Sequence, residues 1–169
     1  MIRGNKIQGD ATIMRDIHRI IDDIIQVEQV HKVMLMDNSG YLLAERGNLE
    51  MDTTSFTSLS AAFSGIAGEI SHETGEGSYL SCVIQTETSL IDFIEVNSDF
   101  FLVIINGLNP EDELKHRTGF IEKAAEMKKI INRMSIQDEA DAREIFSART
   151  VKFGWNNWMK SQFTGENNS

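Results

Sequence analysis

The amino-acid sequence predicts an α+β (α/β) sandwich domain with the element order α-ββ-α-βββ-α, followed by a C-terminal extension. Three observations predict this fold: helical periodicity in three segments, short apolar runs in five others, and hairpin-sized links between many of those runs. We expect the five strands to form one antiparallel meander with helices on both faces, because this packing buries the most apolar strand. The predicted domain spans residues 10–134, and an aromatic-rich, partly helical extension spans residues 135–169.

The first half of the chain predicts a helix, a hairpin and a second helix. Isoleucines recur at steps of three and four between residues 10 and 27, as on the apolar side of a helix. The period then changes, because two short apolar runs, 33–36 and 41–44, flank the turn sequence Asp-Asn-Ser-Gly. Asp52 and the hydroxyl residues after it provide caps for a helix that lasts to about Glu73.

Three strands and a third helix complete the predicted domain. The strands are expected at about 79–85, 90–96 and 100–105, joined by links short enough for hairpins. The run 100–105 has no polar alternation, which is typical of a strand covered on both faces and places it in the middle of the sheet. A capping asparagine, a proline and two acidic residues predict the start of a helix over 109–134.

The negative charge of the chain is concentrated in its middle. The 169 residues carry a net charge of -10, and the segment 31–107 contains two basic residues against eleven acidic ones. A surface of that sign repels phosphate backbones and anionic lipids, which disfavours nucleic-acid binding. We interpret the segment as a solubilising surface, with an acidic docking patch for a basic partner as the alternative.

Neither a membrane-spanning segment nor an export signal is predicted. No apolar run reaches the roughly 18–20 residues needed to cross a bilayer, and residues 1–6 lack the apolar core of a secretory signal. The single cysteine, Cys82, allows no internal disulfide, which suits a reducing compartment. We therefore expect a cytoplasmic protein without membrane insertion.

No arrangement of residues predicts covalent or hydrolytic chemistry. The sequence has no Gly-Lys-Ser/Thr phosphate loop and no G-x-G-x-x-G, and its four histidines have no metal-ligand spacing. Cys82 lies in a predicted strand without cationic neighbours, so we interpret it as a small core residue. The loop with His72, Glu73 and Glu76 is a remote candidate for acid-base chemistry or ligand sensing. We predict no catalytic residue, no metal site and no cofactor.

The second predicted helix carries bulky residues on one side and small residues on another. The bulky side, which we expect to hold the helix in its own domain, consists of Phe56, Leu59, Phe63, Ile66 and Ile70. The small side consists of Ser58, Ala61, Ala62, Gly65 and Gly68. A glycine inside a helix costs up to about 1 kcal/mol relative to alanine, so two on one side need a reason. A partner surface is the favoured reason, and a tight helix contact within the chain is the alternative.

The extension contains both tryptophans of the chain and is predicted to dock against a surface. A free tail would leave this apolar area in water. The expected docking residues are Trp155, Trp158, Met159 and Phe163. Packing back onto the same chain or onto its twin is the alternative, and a membrane-surface helix is disfavoured because few residues there are basic.

The hairpin over 33–42 and the capped helix containing 52–55 and 58–61 resemble the roadblock / dynein light chain superfamily, and within it the bacterial Mgl-type regulators of polarity and gliding. The resemblance covers about residues 12–133. It implies a homodimer whose two sheets join edge to edge across the third strand, with the two second helices side by side. The implied dimer residues are Tyr79, Ser81, Val83 and Gln85.

The same resemblance implies that the paired second helices bind a small Ras-like GTPase. In Mgl-type members this platform accelerates GTP hydrolysis by rearranging the GTPase's own groups, without contributing a catalytic arginine. The implied docking residues are Ser58, Ala61, Ala62, Gly65, Gly68 and Glu69. Glu69 stands where the family's GTPase regulators tend to carry a small residue. A roadblock-type scaffold that bridges other proteins without affecting GTP turnover is the alternative.

Overall fold

The computed structural model describes residues 10–75, 77–107 and 116–133 of the chain. Within these ranges it contains three helices and a five-stranded antiparallel sheet in the predicted order, which confirms the fold class. The elements are α1 (Ala11–Ile25), β1 (Val30–Asp37), β2 (Leu42–Gly47), α2 (Thr53–Thr74), β3 (Ser81–Gln85), β4 (Ser89–Asn97), β5 (Phe100–Gly107) and α3 (described over 116–133). The predicted start of the third helix and the C-terminal extension lie outside the described residues.

Three caps fix ends of the first two helices, and Asp52 among them was predicted from the sequence. The Asp10 carboxylate accepts hydrogen bonds from two backbone N–H groups of the first turn of α1, at 2.9 and 3.1 Å. The Asp52 carboxylate accepts from the N–H of Ser55 at 3.3 Å at the start of α2. At the other end of α2, Gly75 has a left-handed backbone with φ of 70°. Each cap satisfies backbone groups that a helix leaves unpaired at its ends.

The sheet order corrects one detail of the prediction. The strands follow the order β2-β1-β5-β4-β3, so the sheet is a hairpin and a three-stranded meander joined between β1 and β5, not a single meander. The central position of β5 is as expected, and residues 100–105 are all buried. A continuous apolar strand buries the most apolar surface when both of its faces and both of its edges are covered. As a result, β3 lies at an edge of the sheet.

The described helices divide unequally between the two faces of the sheet. On one face, α1 and α3 lie together, joined by ion pairs of 2.7 Å between Arg19 and Glu126 and between Lys123 and Asp23. The apolar side of α1 is fully covered there, with its four buried isoleucines at most 1% exposed. On the other face, α2 is the single described helix.

The side of α2 that contacts the sheet is not the bulky side that the sequence predicts. Small residues make the buried stripe of α2: Thr57, Ser60, Ser64 and Ala67. On the α2 side of the sheet, large side chains form a buried cluster: Met34, Met36, Phe93, Phe101, Val103 and Ile105. Small side chains in the buried stripe allow the helix backbone to lie close to the sheet.

The expectation that the bulky side of α2 faces the domain is therefore wrong for three of its five residues. Phe56 and Phe63 do pack against the buried cluster, and the Phe63 ring lies 4.6 Å from that of Phe93. By contrast, Leu59, Ile66 and Ile70 are 70%, 58% and 60% exposed. We call these three residues the apolar stripe.

Candidate functional site

The exposed side of α2 has a second distinct region, a groove of about 730 Å³ along the flank that contains its two glycines. The opposite wall of the groove comes from the segment before β3 and from the ends of β4 and β5. Its main lining residues are Gly65, Gly68, Glu69, Tyr79, Glu95 and Phe101. The lining of the groove thus includes the carboxylates of Glu69 and Glu95.

The two glycines on this flank are not required by packing within the described residues. A β-carbon placed at Gly65 or Gly68 would have no heavy atom within 4 Å. The alternative of a tight helix contact within the chain therefore has no counterpart in the described part of the structure. The flank has room for an approaching group, as the partner interpretation expects.

The six residues expected to bind a partner occupy the outer side and the groove side of α2. Ser58, Ala62, Gly65 and Glu69 are exposed, whereas Ala61 and Gly68 are half-buried. Ala61 packs against the buried sheet cluster, so it contributes to the fold as well as to the groove wall. The apolar stripe adjoins these residues on the same helix, and its exposure was not predicted from the sequence.

The four residues expected at the dimer interface lie in or just before the edge strand. β3 pairs with β4 alone among the described strands, so the second edge of β3 presents unpaired backbone groups. Cys82 packs on the α2 side of the sheet, and strand alternation places Ser81 and Val83 on the other side. Gln85 is exposed at the end of the strand.

Tyr79 precedes β3 and is held inside the domain. Its hydroxyl lies 2.6 Å from the Ser64 hydroxyl on α2, which ties the segment before β3 to the helix. Burial raises the pKa of Tyr79, although the hydrogen bond with Ser64 acts in the opposite direction. The tyrosine is therefore a neutral anchor between α2 and the edge strand at physiological pH.

The described residues of the candidate acid-base loop, and Cys82, do not form a catalytic arrangement. The His72 and Glu73 side chains are 85% and 81% exposed and 3.9 Å apart, and Glu76 lies outside the described residues. Burial raises the pKa of the Cys82 thiol, which disfavours the reactive thiolate. Over 10–75, 77–107 and 116–133, no three His, Cys, Asp or Glu residues are grouped as metal ligands.

Two further predictions fall outside the range of these observations. The docking residues of the extension, Trp155, Trp158, Met159 and Phe163, lie outside the described residues, as does the predicted domain boundary at 134/135. In the part of the chain that the structure describes, no helix combines the length and the apolar character required to traverse a bilayer.

An edge strand, one described helix on the second face and this order of elements are typical of a roadblock-type domain. The model of the Roadblock/LC7 domain matches residues 17–106, more than half of the chain, and this chain belongs to that family. No curated protein sequence matches the chain.

Solved structures show the same fold at low sequence identity. MglB of Myxococcus xanthus superposes with a TM-score of 0.63 at 22% identity, covering 70% of this chain and 96% of that one. The gliding protein MglB of Thermus thermophilus gives a TM-score of 0.60 at 16% identity, with 71% and 93% covered. A Roadblock/LC7 domain of Streptomyces avermitilis gives 0.57 at 12% identity, with 70% and 96% covered. The confirmed resemblance is thus to the roadblock fold.

Proposed function

We propose that this chain is a cytoplasmic, non-catalytic homodimer that binds a small Ras-like GTPase through its paired second helices and stimulates GTP hydrolysis. One observation carries the proposal. Six large apolar residues are exposed in the described part of the chain, and five of them lie on or beside two elements. Leu59, Ile66 and Ile70 are on α2, whereas Leu80 precedes β3 and Ile84 lies within it. Apolar residues concentrated on two neighbouring elements are typical of a protein-protein interface.

The edge strand supports the dimer. A second copy of β3 would supply partners for the unpaired backbone groups, and unprotected edges otherwise invite nonspecific pairing. Leu80 and Ile84, which are 70% and 37% exposed, would lose solvent contact in that arrangement. A C2 pairing of this kind brings the same elements of both copies together, so the two α2 helices become neighbours.

The outer side of α2 supports the GTPase interaction. Its exposed small residues, Ser58, Ala62 and Gly65, allow another backbone to approach closely, while the adjacent apolar stripe adds area to bury. Residues 47–107 contain no arginine or lysine, so this surface has no arginine to place in a GTPase active site. Stimulation of hydrolysis would therefore act by positioning the GTPase's own catalytic groups.

The homodimer is tested with Ile84→Lys. A charge on the edge strand should shift the chain to monomer in light scattering at micromolar concentration, because an unpaired buried charge is strongly disfavoured. Leu49→Lys is the matched control, since Leu49 is exposed to almost the same extent, 39%, and lies away from β3. A dimer that survives Ile84→Lys, or that dissociates equally with Leu49→Lys, contradicts the edge-to-edge arrangement.

The GTPase interaction is tested with Gly65→Arg. The variant should fold normally, because a side chain at this position meets no neighbouring atom, and it should lose binding to a Ras-like GTPase of the same organism. Gly119→Arg on α3 is the control, because that glycine is equally free of neighbours. Single-turnover GTP hydrolysis with and without each variant separates the outcomes. Retained binding by Gly65→Arg contradicts the site, and binding that leaves hydrolysis unchanged favours the scaffold.

A further inference from the structure

Charge is distributed very unequally over the described domain. The 61 residues from 47 to 107, which include α2 and the three strands β3 to β5, contain no lysine or arginine. The nine acidic residues in this segment are Glu50, Asp52, Glu69, Glu73, Glu76, Glu87, Asp92, Glu95 and Asp99. The basic residues just upstream are already engaged, since Lys32 pairs with Glu45 at 2.7 Å and Arg46 with Asp22 at 2.8 Å.

Two of these carboxylates line the groove beside α2. Glu69 is exposed on the helix, and Glu95 is half-buried on β4. Among the described residues, no cationic group lies within 4.0 Å of either carboxylate. Burial raises the pKa of Glu95, and the more distant charge of Lys128 offsets this only in part. A partly buried carboxylate without a close counter-ion is costly, and a cation arriving in the groove would remove that cost.

We propose that the groove between α2 and the ends of β4 and β5 accepts a lysine or arginine side chain of the bound GTPase, paired with Glu95 and Glu69. The inference rests on the proposed function and names the chemistry of the partner surface. Gly65 and Gly68 provide the space for a long side chain, because no atom stands where their β-carbons would be.

A second copy of α2 is a poor occupant of the same groove. It would bring another Glu69 and Glu73 towards the same carboxylates, and like charges at close range repel. A basic partner is instead attracted by the whole acidic segment. A field of one sign steers an oppositely charged surface and raises its association rate. The interaction should therefore weaken as salt screens the charges.

The test compares two double variants with the same change in net charge. Glu69→Gln/Glu95→Gln neutralises the groove, and Glu28→Gln/Glu122→Gln neutralises two carboxylates outside it. Association with the GTPase is measured by stopped-flow fluorescence at about 50 mM and about 500 mM NaCl, where screening differs strongly. We expect the groove variant to associate about tenfold more slowly at low salt, with most of its salt dependence lost. The control should remain within about twofold of the wild type.

A second arm separates this inference from the proposed function. A synthetic peptide with alternating arginine and leucine residues is titrated into the wild-type chain, and its citrulline analogue serves as the uncharged probe. Amide shifts at Gly65 and Gly68 with the arginine peptide alone support the groove even if no GTPase binds. A GTPase that binds the groove variant as fast as the wild type, or equal shifts with both peptides, overturns the inference while leaving the proposed function standing.

Discussion

The two faces of the sheet are built from similar side chains but use them differently. The face under α1 and α3 is closed: the buried isoleucines of α1 are at most 1% exposed, and ion pairs connect the two helices across their outer sides. The face under α2 is open, since its one described helix buries small residues and leaves leucine and isoleucine in water. The closed face therefore stabilises the domain, and the open face is available for recognition.

The comparison is tested most directly by the same substitution on both helices. Ile20→Ala on α1 should lower the free energy of unfolding by about 2–5 kcal/mol, because it leaves a cavity in a closed layer. Ile66→Ala on α2 should lower it by less than about 0.5 kcal/mol in the monomer, since that side chain is 58% exposed. Urea unfolding at low protein concentration measures both, and similar losses would contradict the division of roles.

The next largest effect concerns Asp92, a carboxylate that is 2% exposed on the closed side of β4. It lies 3.3 Å from Arg117 and accepts a hydrogen bond from Asn106 at 2.9 Å, but burial dominates and raises its pKa above the ordinary 3.8.

A carboxyl group whose pKa is higher in the folded state makes stability fall as the pH rises through the interval between its unfolded and folded pKa values. The wild type should therefore lose stability relative to Asp92→Asn as the pH is raised above 3.8. Unfolding curves of the two proteins across this interval give the difference. If the difference in unfolding free energy between the two proteins stays constant with pH, or changes in the opposite direction, the burial of Asp92 does not destabilise the folded state.

A smaller effect is expected where α2 is tied to the edge strand. Tyr79→Phe removes the 2.6 Å hydrogen bond to Ser64 and should lower the free energy of unfolding by about 0.5–1.5 kcal/mol. Hydrogen exchange should rise in residues 77–85 more than in β1. Equal exchange in both segments would mean that the bond does not hold the edge strand.

The smallest effect is expected on the outer side of the closed face. Lys123→Met breaks the 2.7 Å ion pair with Asp23 and should lower stability by less than about 1 kcal/mol, because solvent screens exposed pairs. The hydrogen bond from Lys123 lowers the pKa of Asp23, so this contribution should disappear as the pH falls and that carboxylate is protonated. Stability measured in high salt should be the same for the variant and the wild type.

Most of the local structure could be predicted from the sequence. Asp10, Asp52 and Gly75 mark helix ends because their side chains or backbone freedom act on immediate neighbours. The central place of β5 follows from its uninterrupted apolar run. The pairing of β1 with β5 could not be predicted in the same way, because no turn residue specifies a contact between strands so far apart in sequence.

The orientation of α2 shows why periodicity alone is insufficient at the candidate site. The repeat of large residues correctly indicated a helix, but it did not indicate which side faces inward. The side that faces inward carries Ser60 and Ser64, and the repeat of large residues does not identify it. The role of Glu95 was missed for a similar reason, because its neighbours in the groove come from another part of the chain.

The joining of two separate strand groups through β5 has a consequence for synthesis of the chain on the ribosome. Leu35 on β1 pairs with Leu102 on β5, which lies 67 residues later. Both β1 and β4 therefore have an unpaired side until the chain has emerged past Gly107. Such long-range pairing slows folding and prolongs the exposure of strand edges. Nascent chains that stall before this point should be the form of the protein that depends most on chaperones.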